Sequence, residues 1–549
     1  MPESKLNESS MLKKESFSNK TKWVVLTGGV LSGLGKGIAS ASIGMLLSSR
    51  YKVIPIKCDG YLNVDPGTMN PVEHGEVFVL EDGGEVDMDF GHYERFLGVA
   101  CKSEWNLTMG KVFDRIRAKE RKGDYLGKTV QLIPHVSDLI REWWLKIAEE
   151  EEAEVVMIEI GGTVGDMENE LYIEAARNLK KSVGAENIMY AHLTYVPIPS
   201  GVNEQKSKPT QQSVNLLRER GITPNLIIGR CQEMLAENIK NKIAMFCDIK
   251  KEAVISGVDV DNIYKIPVVF QKENVNAIIN ENLGLDVEIN HSRWKELVDN
   301  MSSPKKEINI AICGKYTILE DSYASVVEAL RHSGAHLNTK VNIGFVETSD
   351  KTTLVEILKD VDGVIIPGGF GSRGIEGKID IIKYCRENKL PILGICYGLQ
   401  LMVVESARNL GDMADANTTE VNPETTNPVI IILPGQEKIS DLGGTLRLGA
   451  YPAILTEGTK AHELYGLADV SERHRHRYEV NPEYHEKLLE TGLVFSGMSP
   501  DGKLVEFTER ADHPYFLGCQ GHPELKSTLL KPAPLFFGLV KAALENKDN

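Results

Sequence analysis

Cysteine is scarce and scattered: eight residues in 549, at positions 58, 101, 231, 247, 313, 385, 396 and 519, with no C-x-x-C pair. That spacing suits neither a zinc site nor a disulfide framework, so a reducing compartment and a cytoplasmic location are expected. Long apolar runs are missing too. None approaches the roughly 18–20 residues that span a bilayer, so no membrane partner is expected. Residues 1–20 have no apolar core, and glutamates are interspersed among their lysines. They read as a disordered tail and not as a targeting address. Positive charge is in deficit, with 62 Lys and Arg against 78 Asp and Glu and a formal net charge of −16. This argues against a nucleic-acid partner while leaving room for a local basic pocket around phosphates. The remaining composition, 42% hydrophobic and 26% charged, is ordinary for a soluble chain long enough for two to four domains.

The chain is organised around residues 390–400. Ile392 to Ile395 forms a short apolar run that reads as a buried strand, and an apolar, helix-compatible segment follows from Leu399. Gly394 and Gly398 bracket Cys396 as G-x-C-x-G. A nucleophile between two glycines at a strand-to-helix turn sits on a strained elbow where bulkier neighbours clash. The N-terminal end of the following helix favours thiolate over thiol. Such a cysteine needs a base and a group to orient it. Far downstream, Gln520-Gly521-His522-Pro523-Glu524 places a histidine and a carboxylate two residues apart, and Pro367-Gly368-Gly369-Phe370-Gly371 lies upstream. The ordinary alternative for Cys396 is a buried, inert thiol; the glycine bracket and the distant His-Pro-Glu weigh against it.

These residues resemble the class I, or triad, glutamine amidotransferases. The resemblance implies that Cys396 forms a glutamyl thioester, His522 shuttles the proton and Glu524 orients the imidazole. It also implies an oxyanion hole at the N–H groups of Gly369 and Tyr397, with Gly398, Leu399, Gln400, Glu420 and Arg477 among the glutamine contacts. Glu420 suits an α-ammonium and Arg477 an α-carboxylate. Glutaminases of this kind serve a partner activity that consumes the ammonia.

Upstream, the apolar run 23–27 reads as a strand. It leads into Gly28-Gly29-Val30-Leu31-Ser32-Gly33-Leu34-Gly35-Lys36-Gly37, and a helix follows to about Ser49. Strand, glycine-rich turn with lysine, and helix make a phosphate cradle, because backbone N–H groups, the helix dipole and Lys36 all favour anions. The match to G-x-x-x-x-G-K-[ST] is imperfect. Gly37 stands where a hydroxyl would touch magnesium, so carboxylates elsewhere must supply the metal ligands. A tight βα connection is the ordinary alternative. Lys36 at the helix start and Lys57 at the carboxyl end of the next strand, 53–59, argue for the cradle. An acidic run at 81–89 is expected to be mostly solvated surface, with one or two carboxylates available for magnesium. Another strand, 155–160, carries Glu159 near its tip, where it has the chance of meeting Asp89 across one metal.

The series Gly28 to Gly37, 63–69, 73–79, 159–166, 206–211 and 471–480 resembles, in the same order, the CTP synthase family. The similarity runs from about 22 to 542. It implies two parallel-sheet α/β domains: a P-loop-like, dethiobiotin-synthetase-like amidoligase at 21–285, then a linker at 286–306 and a class I glutaminase at 307–545. It implies ATP-dependent phosphorylation of UTP at O4 followed by amination to CTP. ATP would lie on Gly33, Leu34, Gly35, Lys36, Gly37 and Ile38, with Asp259 and Val260 at the adenine. Lys57 would offset charge at the transferring group. Mg2+ would be held by Asp89 and Glu159. The pyrimidine triphosphate site would comprise Ser32, Lys206, Ser207, Lys208, Pro209, Thr210, Gln211 and Lys242. Asp166, Met167 and Glu168 would recognise CTP as feedback inhibitor, and His74 would gate an ammonia passage. A homotetramer, filaments and activation by GTP complete what the resemblance implies.

Three departures stand out. Gly60 replaces an expected proline and should loosen the turn beside Lys57. Gly521 replaces an expected aromatic and should leave His522 less tightly packed. The stretch 433–440, where a GTP-responsive lid should lie, is short. The cluster His474-Arg475-His476-Arg477 also reads as a metal or anion patch, although a third spaced metal ligand is absent. A related amidotransferase that aminates a carboxylate would not need the lysine pair at 206 and 208. A protein kept for assembly alone would not need Cys396, His522 and Glu524.

Overall fold

The computed structural model describes residues 21–69, 75–287, 291–314, 320–349, 357–433 and 446–548. His74, the 1–20 tail and nearly all of 433–440 therefore lie outside the described residues. The chain divides into two compact units, one of residues 1–64 and 104–289 and the other of residues 65–103 and 290–549.

The first unit is built on seven parallel strands. Their order is Asn106–Thr108, Val53–Asp59, Val155–Ile160, Lys22–Gly28, Ile188–Tyr195, Leu226–Cys231 and Val254–Val258. Helices must cover both faces of such a sheet, so its strands read as continuous apolar runs and not as alternation. Val53–Asp59 and Val155–Ile160 are indeed buried at every position. That burial makes the charges at their carboxyl ends, Lys57, Asp59 and Glu159, conspicuous. The order reverses direction around Lys22–Gly28, which places the turn at 28–36 at the crevice where open α/β sheets take ligands.

The second unit has a nine-stranded sheet. Five parallel strands, Thr339–Glu347, Lys306–Gly314, Gly363–Ile366, Ile392–Ile395 and Phe516–Cys519, continue into four antiparallel ones, Val505–Glu509, Val494–Met498, Arg447–Leu455 and Asp469–His476. The same unit includes a short hairpin, Phe78–Val79 with Glu85–Val86, and the helix Asp89–Leu97.

One expectation changes here. Within 286–306, expected to be a linker, the helix Ser292–Ser302 buries Trp294, Leu297 and Val298. These fall three and four residues apart, a short apolar stripe that the polar remainder of the segment hides. In the acidic run Glu81 and Asp82 are exposed and Asp87 and Asp89 half-buried, while Glu85 alone among the carboxylates is buried, its Oε1 accepting from Arg475 Nε at 2.8 Å.

Candidate active sites

In the second unit the elbow forms as its glycines require. Ile392–Ile395 ends at Cys396, which caps the helix Tyr397–Leu410 with φ 53° and ψ −103°. A non-glycine residue with positive φ is strained, and such strain persists only where surrounding structure enforces it. The enforcement is visible. A Cβ at Gly394 would lie 2.8 Å from the Gly398 backbone, and one at Gly398 would lie 2.2 Å from the Ile366 carbonyl oxygen. The Cys396 N–H donates to the Cys519 carbonyl at 2.7 Å, which ties the elbow to the strand that leads to His522.

His522 is held by one of its two intended partners. Its Nδ1 lies 2.6 Å from Glu524 Oε1, while its Nε2 is buried without a hydrogen-bond partner, and the imidazole and Cys396 flank the same glycine, Gly368. Burial by itself would lower the imidazole's proton affinity. The Glu524 carboxylate and the Cys396 sulfur outweigh it and raise the His522 pKa well above its ordinary value. An imidazole so placed is suited to carry a proton. Gly368 lies against it, since a Cβ there would meet His522 Cε1 at 2.9 Å.

The neighbouring residues are assembled from four other segments. Gly371 N–H donates to Glu420 Oε1 at 2.9 Å, and Tyr397 Oη donates to the Gly371 carbonyl at 3.3 Å. Gln400 Nε2 donates to the Tyr478 carbonyl at 2.8 Å. Leu399 turns its side chain into the core against Gly518, so only its backbone faces the elbow turn. Gly521 is not slack: a Cβ there would sit 2.8 Å from Glu472 Cβ and 3.3 Å from His474 Nε2. Those two side chains fill the space an aromatic would take.

Behind His522 lies a buried polar network. His474 Nδ1 is 2.8 Å from His476 Nε2, and Arg447 bridges Glu479 at 3.1 Å and Glu506 at 2.7 Å. Burial keeps both imidazoles well below their ordinary pKa and pushes Glu479 up to about 8. The two imidazoles are thus bonded to each other, and His476 Nδ1 lies 3.1 Å from the Tyr478 carbonyl.

One feature of this site was not legible as a motif. The strand Asp469–His476 offers the Arg473 carbonyl to the His522 N–H at 2.7 Å and the Arg475 carbonyl to Cys396 Sγ at 3.8 Å. The side chains of the same two arginines are held by residues 65–103. Arg473 reaches the Val79 carbonyl at 3.1 Å and Glu94 at 2.8 Å, while Arg475 reaches Glu85 and the Gly67 carbonyl. Strand alternation is the signal that would have paired Arg473 with Arg475.

In the first unit the turn at 28–36 has positive φ at Val30, Gly33 and Gly35, and the helix Lys36–Ser48 follows directly. Lys36 folds back across Gly28, and its Nζ donates to the Gly162 carbonyl at 2.7 Å. Lys57 is 4% exposed; its ammonium lies 3.2 Å from Asp59 Oδ1 and 3.8 Å from Glu159 Oε1. Parallel register pairs Lys57 with Glu159, and period-two alternation puts Asp59 on the same face as Lys57. Asp59 was missed in the sequence, although that alternation points to it. Magnesium takes oxygen ligands and keeps waters and phosphates, so one or two carboxylates suffice. Asp59 and Glu159 are donors of the right kind. Asp89 opens the helix Asp89–Leu97 in the second unit.

The remaining nucleotide candidates group into three places. Lys208, Pro209, Thr210 and Gln211 begin the helix Lys208–Glu219, directly after Ser207, whose Oγ accepts from the Gln211 side-chain Nε2 at 3.1 Å. Lys206 pairs with exposed Glu204 at 2.7 Å, and both Lys206 and Lys242 lower the Glu204 pKa; the two ammonium groups therefore share one neighbourhood. Asp166 accepts from the Thr163 N–H at 3.0 Å, while Met167 and Glu168 project outward on the following turn. Asp259 pairs with Arg230 at 2.5 Å, and Arg230 also lies 3.4 Å from where a Cβ of Gly35 would be. That arginine links the adenine candidates to the phosphate turn. Ser32 is exposed on the turn and Val260 half-buried. Gly60 is packed and not loose, since a Cβ would meet Glu168 Cβ at 2.7 Å.

A strained thiol near a histidine–glutamate pair, on a parallel sheet, in a chain that also carries an α/β unit with a glycine-rich turn and a lysine at its helix start, marks the class of a glutamine amidotransferase fused to a partner domain. Comparison agrees. Residues 22–285 match the model of the CTP synthase N-terminus, and residues 318–542 match glutamine amidotransferase class-I. CTP synthase from Borreliella burgdorferi is 52% identical over 95% of this chain and 99% of its own length. That from Archaeoglobus fulgidus is 50% identical over 95% and 98%. The glutaminase domain of Trypanosoma brucei CTPS, solved with bound acivicin, is 33% identical over 43% of this chain and 94% of that domain, with a TM-score of 0.41. The chain belongs to the CTP synthase family. It is a ligase that uses ATP and glutamine to convert UTP to CTP.

Proposed function

We propose that the two halves of this reaction run on the residues assembled above. In the glutaminase, Cys396 gives its proton to His522 Nε2 and attacks the carboxamide carbon of glutamine. Glu524 holds the imidazole through Nδ1. The N–H groups of Gly369 and Tyr397 take the charge that develops on the amide oxygen, where preorganised donors act most strongly. His522 then protonates the departing nitrogen, ammonia leaves, and a water activated by the same imidazole releases glutamate from the thioester. Glu420 and Arg477 bind the two ends of the amino acid, with Gly398, Leu399 and Gln400 lining the turn beneath it.

In the amidoligase, Gly33 to Ile38 and Lys36 bind the ATP phosphates, and Asp259 and Val260 the adenine. Ser32, Lys206 to Gln211 and Lys242 hold the UTP triphosphate. Lys57 neutralises charge as the γ-phosphoryl moves to O4, a step that needs positioning and charge more than covalent help. Glu159, with Asp59 beside Lys57, would hold Mg2+, which would supply charge neutralisation at the phosphates, and Asp89 is the further carboxylate that the resemblance names. Asp166 to Glu168 read CTP as inhibitor, and His74 gates the ammonia. GTP activation, a homotetramer able to form filaments, a cytoplasmic location and the domain limits 21–285, 286–306 and 307–545 belong to the same reading.

The observation that carries it is the His522 imidazole held by Glu524 near the strained Cys396. Its test is direct. The purified protein with UTP, ATP, magnesium and glutamine should form CTP with matching ADP, and Cys396→Ala should lose this yet keep synthesis from ammonium. Loss of both routes in Cys396→Ala would contradict two separate sites.

A further inference from the structure

Beneath the phosphate turn lies a buried imidazole that the reaction as described does not use. His192, on the strand Ile188–Tyr195, is 0% exposed and stands in register with Thr27, the penultimate residue of Lys22–Gly28. Its Nδ1 is 2.8 Å from Thr27 Oγ1, and its Nε2 is 2.7 Å from Ser213 Oγ. Ser213 belongs to the helix Lys208–Glu219, whose first turn carries Lys208 and Gln211. The two hydroxyls assign the tautomer. Thr27 Oγ1 donates to the Ala191 carbonyl at 3.3 Å, so its lone pair receives Nδ1–H, and Nε2 accepts from Ser213. Burial, helped by the Lys36 ammonium, pushes the imidazole's pKa down to about 3, which keeps it neutral and this bonding pattern intact.

The turn rests on the same pair. A Cβ at Gly29 would lie 1.6 Å from Ser213 Oγ and 3.0 Å from His192 Nε2, and the Gly29 N–H donates to the Leu193 carbonyl at 3.0 Å. One imidazole therefore joins the end of the first strand, the glycine turn above it and the helix beside it. Nothing softer intervenes: all three side chains are buried, and Gly29 leaves no space between turn and helix.

We propose that His192 is a positioning residue for phosphoryl transfer, fixing the turn that holds the ATP phosphates against the helix that holds the UTP triphosphate. This rests on the nucleotide assignment above. Transfer from one bound nucleotide to another demands a near-attack geometry, and a misplacement of about 1 Å lowers the rate about a hundredfold. A hydrogen-bonded imidazole sets such a distance better than apolar packing, because its two bonds are directional.

The test measures CTP formation from ammonium, which bypasses the glutaminase. Asn places its amide near the Nδ1 position and loses the Ser213 bond; Gln reaches toward the Nε2 position. His192→Asn should lower kcat about tenfold or more, with the KM for ATP and for UTP within about threefold of wild type. His192→Gln should recover most of that loss. Ser213→Ala should reproduce His192→Asn, and the double variant should be no worse than either, because both remove one bond. Wild-type kcat in His192→Asn and Ser213→Ala, or a lowered melting temperature as their sole effect, would overturn the proposal. Lys36→Ala separates this from the underlying assignment. If Lys36→Ala lowers activity while the His192 and Ser213 variants do not, the proposal alone falls. If Lys36→Ala keeps full activity and ATP affinity, the nucleotide assignment falls and takes the proposal with it.

Discussion

Replacing Gly398 by alanine adds a single methyl group at the tightest point of the elbow. The new Cβ would lie 2.2 Å from the Ile366 carbonyl oxygen and 3.1 Å from its carbon, whereas ordinary contact begins at 3.4 Å. Backbone must therefore move by about 1 Å. The strand Gly363–Ile366 cannot supply the movement, since it is paired on both sides, with Lys306–Gly314 and with Ile392–Ile395. The first turn of the helix Tyr397–Leu410 moves instead, and it carries the Tyr397 N–H and the strained Cys396 with it. A misplacement of about 1 Å at a reacting group lowers the rate about a hundredfold, close to 2.7 kcal/mol of transition-state stabilisation. Overpacking lowers stability by about 1–3 kcal/mol as well. The assay is glutamate release from glutamine, run beside CTP formation from ammonium on the same preparation. Glutaminase kcat/KM should fall about a hundredfold while ammonium-dependent synthesis persists. A Gly398→Ala enzyme that hydrolyses glutamine within about threefold of wild type would refute the elbow argument, because the helix start could then shift without consequence.

Glu524→Gln should lower glutaminase kcat by about 10²–10⁴-fold, because the imidazole loses the carboxylate charge that favours its protonated form. It should also make stability depend less on pH. His522 has a raised folded-state pKa, so its contribution is full below the ordinary value of 6.5 and fades as pH climbs through the folded value. The melting-temperature gap between wild type and Glu524→Gln should thus be wider at pH 6 than at pH 9, and an equal gap at both would contradict the His522–Glu524 pairing. Glu94→Gln removes the buried partner of Arg473, whose carbonyl holds the His522 N–H. Although residue 94 precedes the second sheet by some two hundred positions, this change should slow glutamine hydrolysis about tenfold; unaltered hydrolysis would mean the Arg473 strand holds its place without it.

Much of the catalytic chemistry was legible because it depends on local rules. A glycine on each side of Cys396, a lysine at the start of a helix after a glycine turn, and a histidine two residues from a glutamate all declare themselves within a few positions. The strands 53–59, 155–160 and 392–395 were equally plain, since a parallel sheet covered on both faces requires unbroken apolar runs. The Ser292–Ser302 helix was hidden because its buried stripe is only three residues wide.

What the chain's order of residues determined by itself was which groups can react: a thiol, an imidazole, a carboxylate, and lysines spaced for phosphates. What the tertiary structure alone decided was which neutral or oppositely charged neighbour each of them meets. Asp59 and Glu159 lie against Lys57 through strand register, Glu85 and Glu94 lie against Arg475 and Arg473 from nearly four hundred residues away, and Thr27 and Ser213 close on His192 from two different elements. Reactivity belongs to the side chain and is written in its type. The field and the hydrogen bonds that tune it fall off within a few ångströms, so they come from whatever folding brings that close.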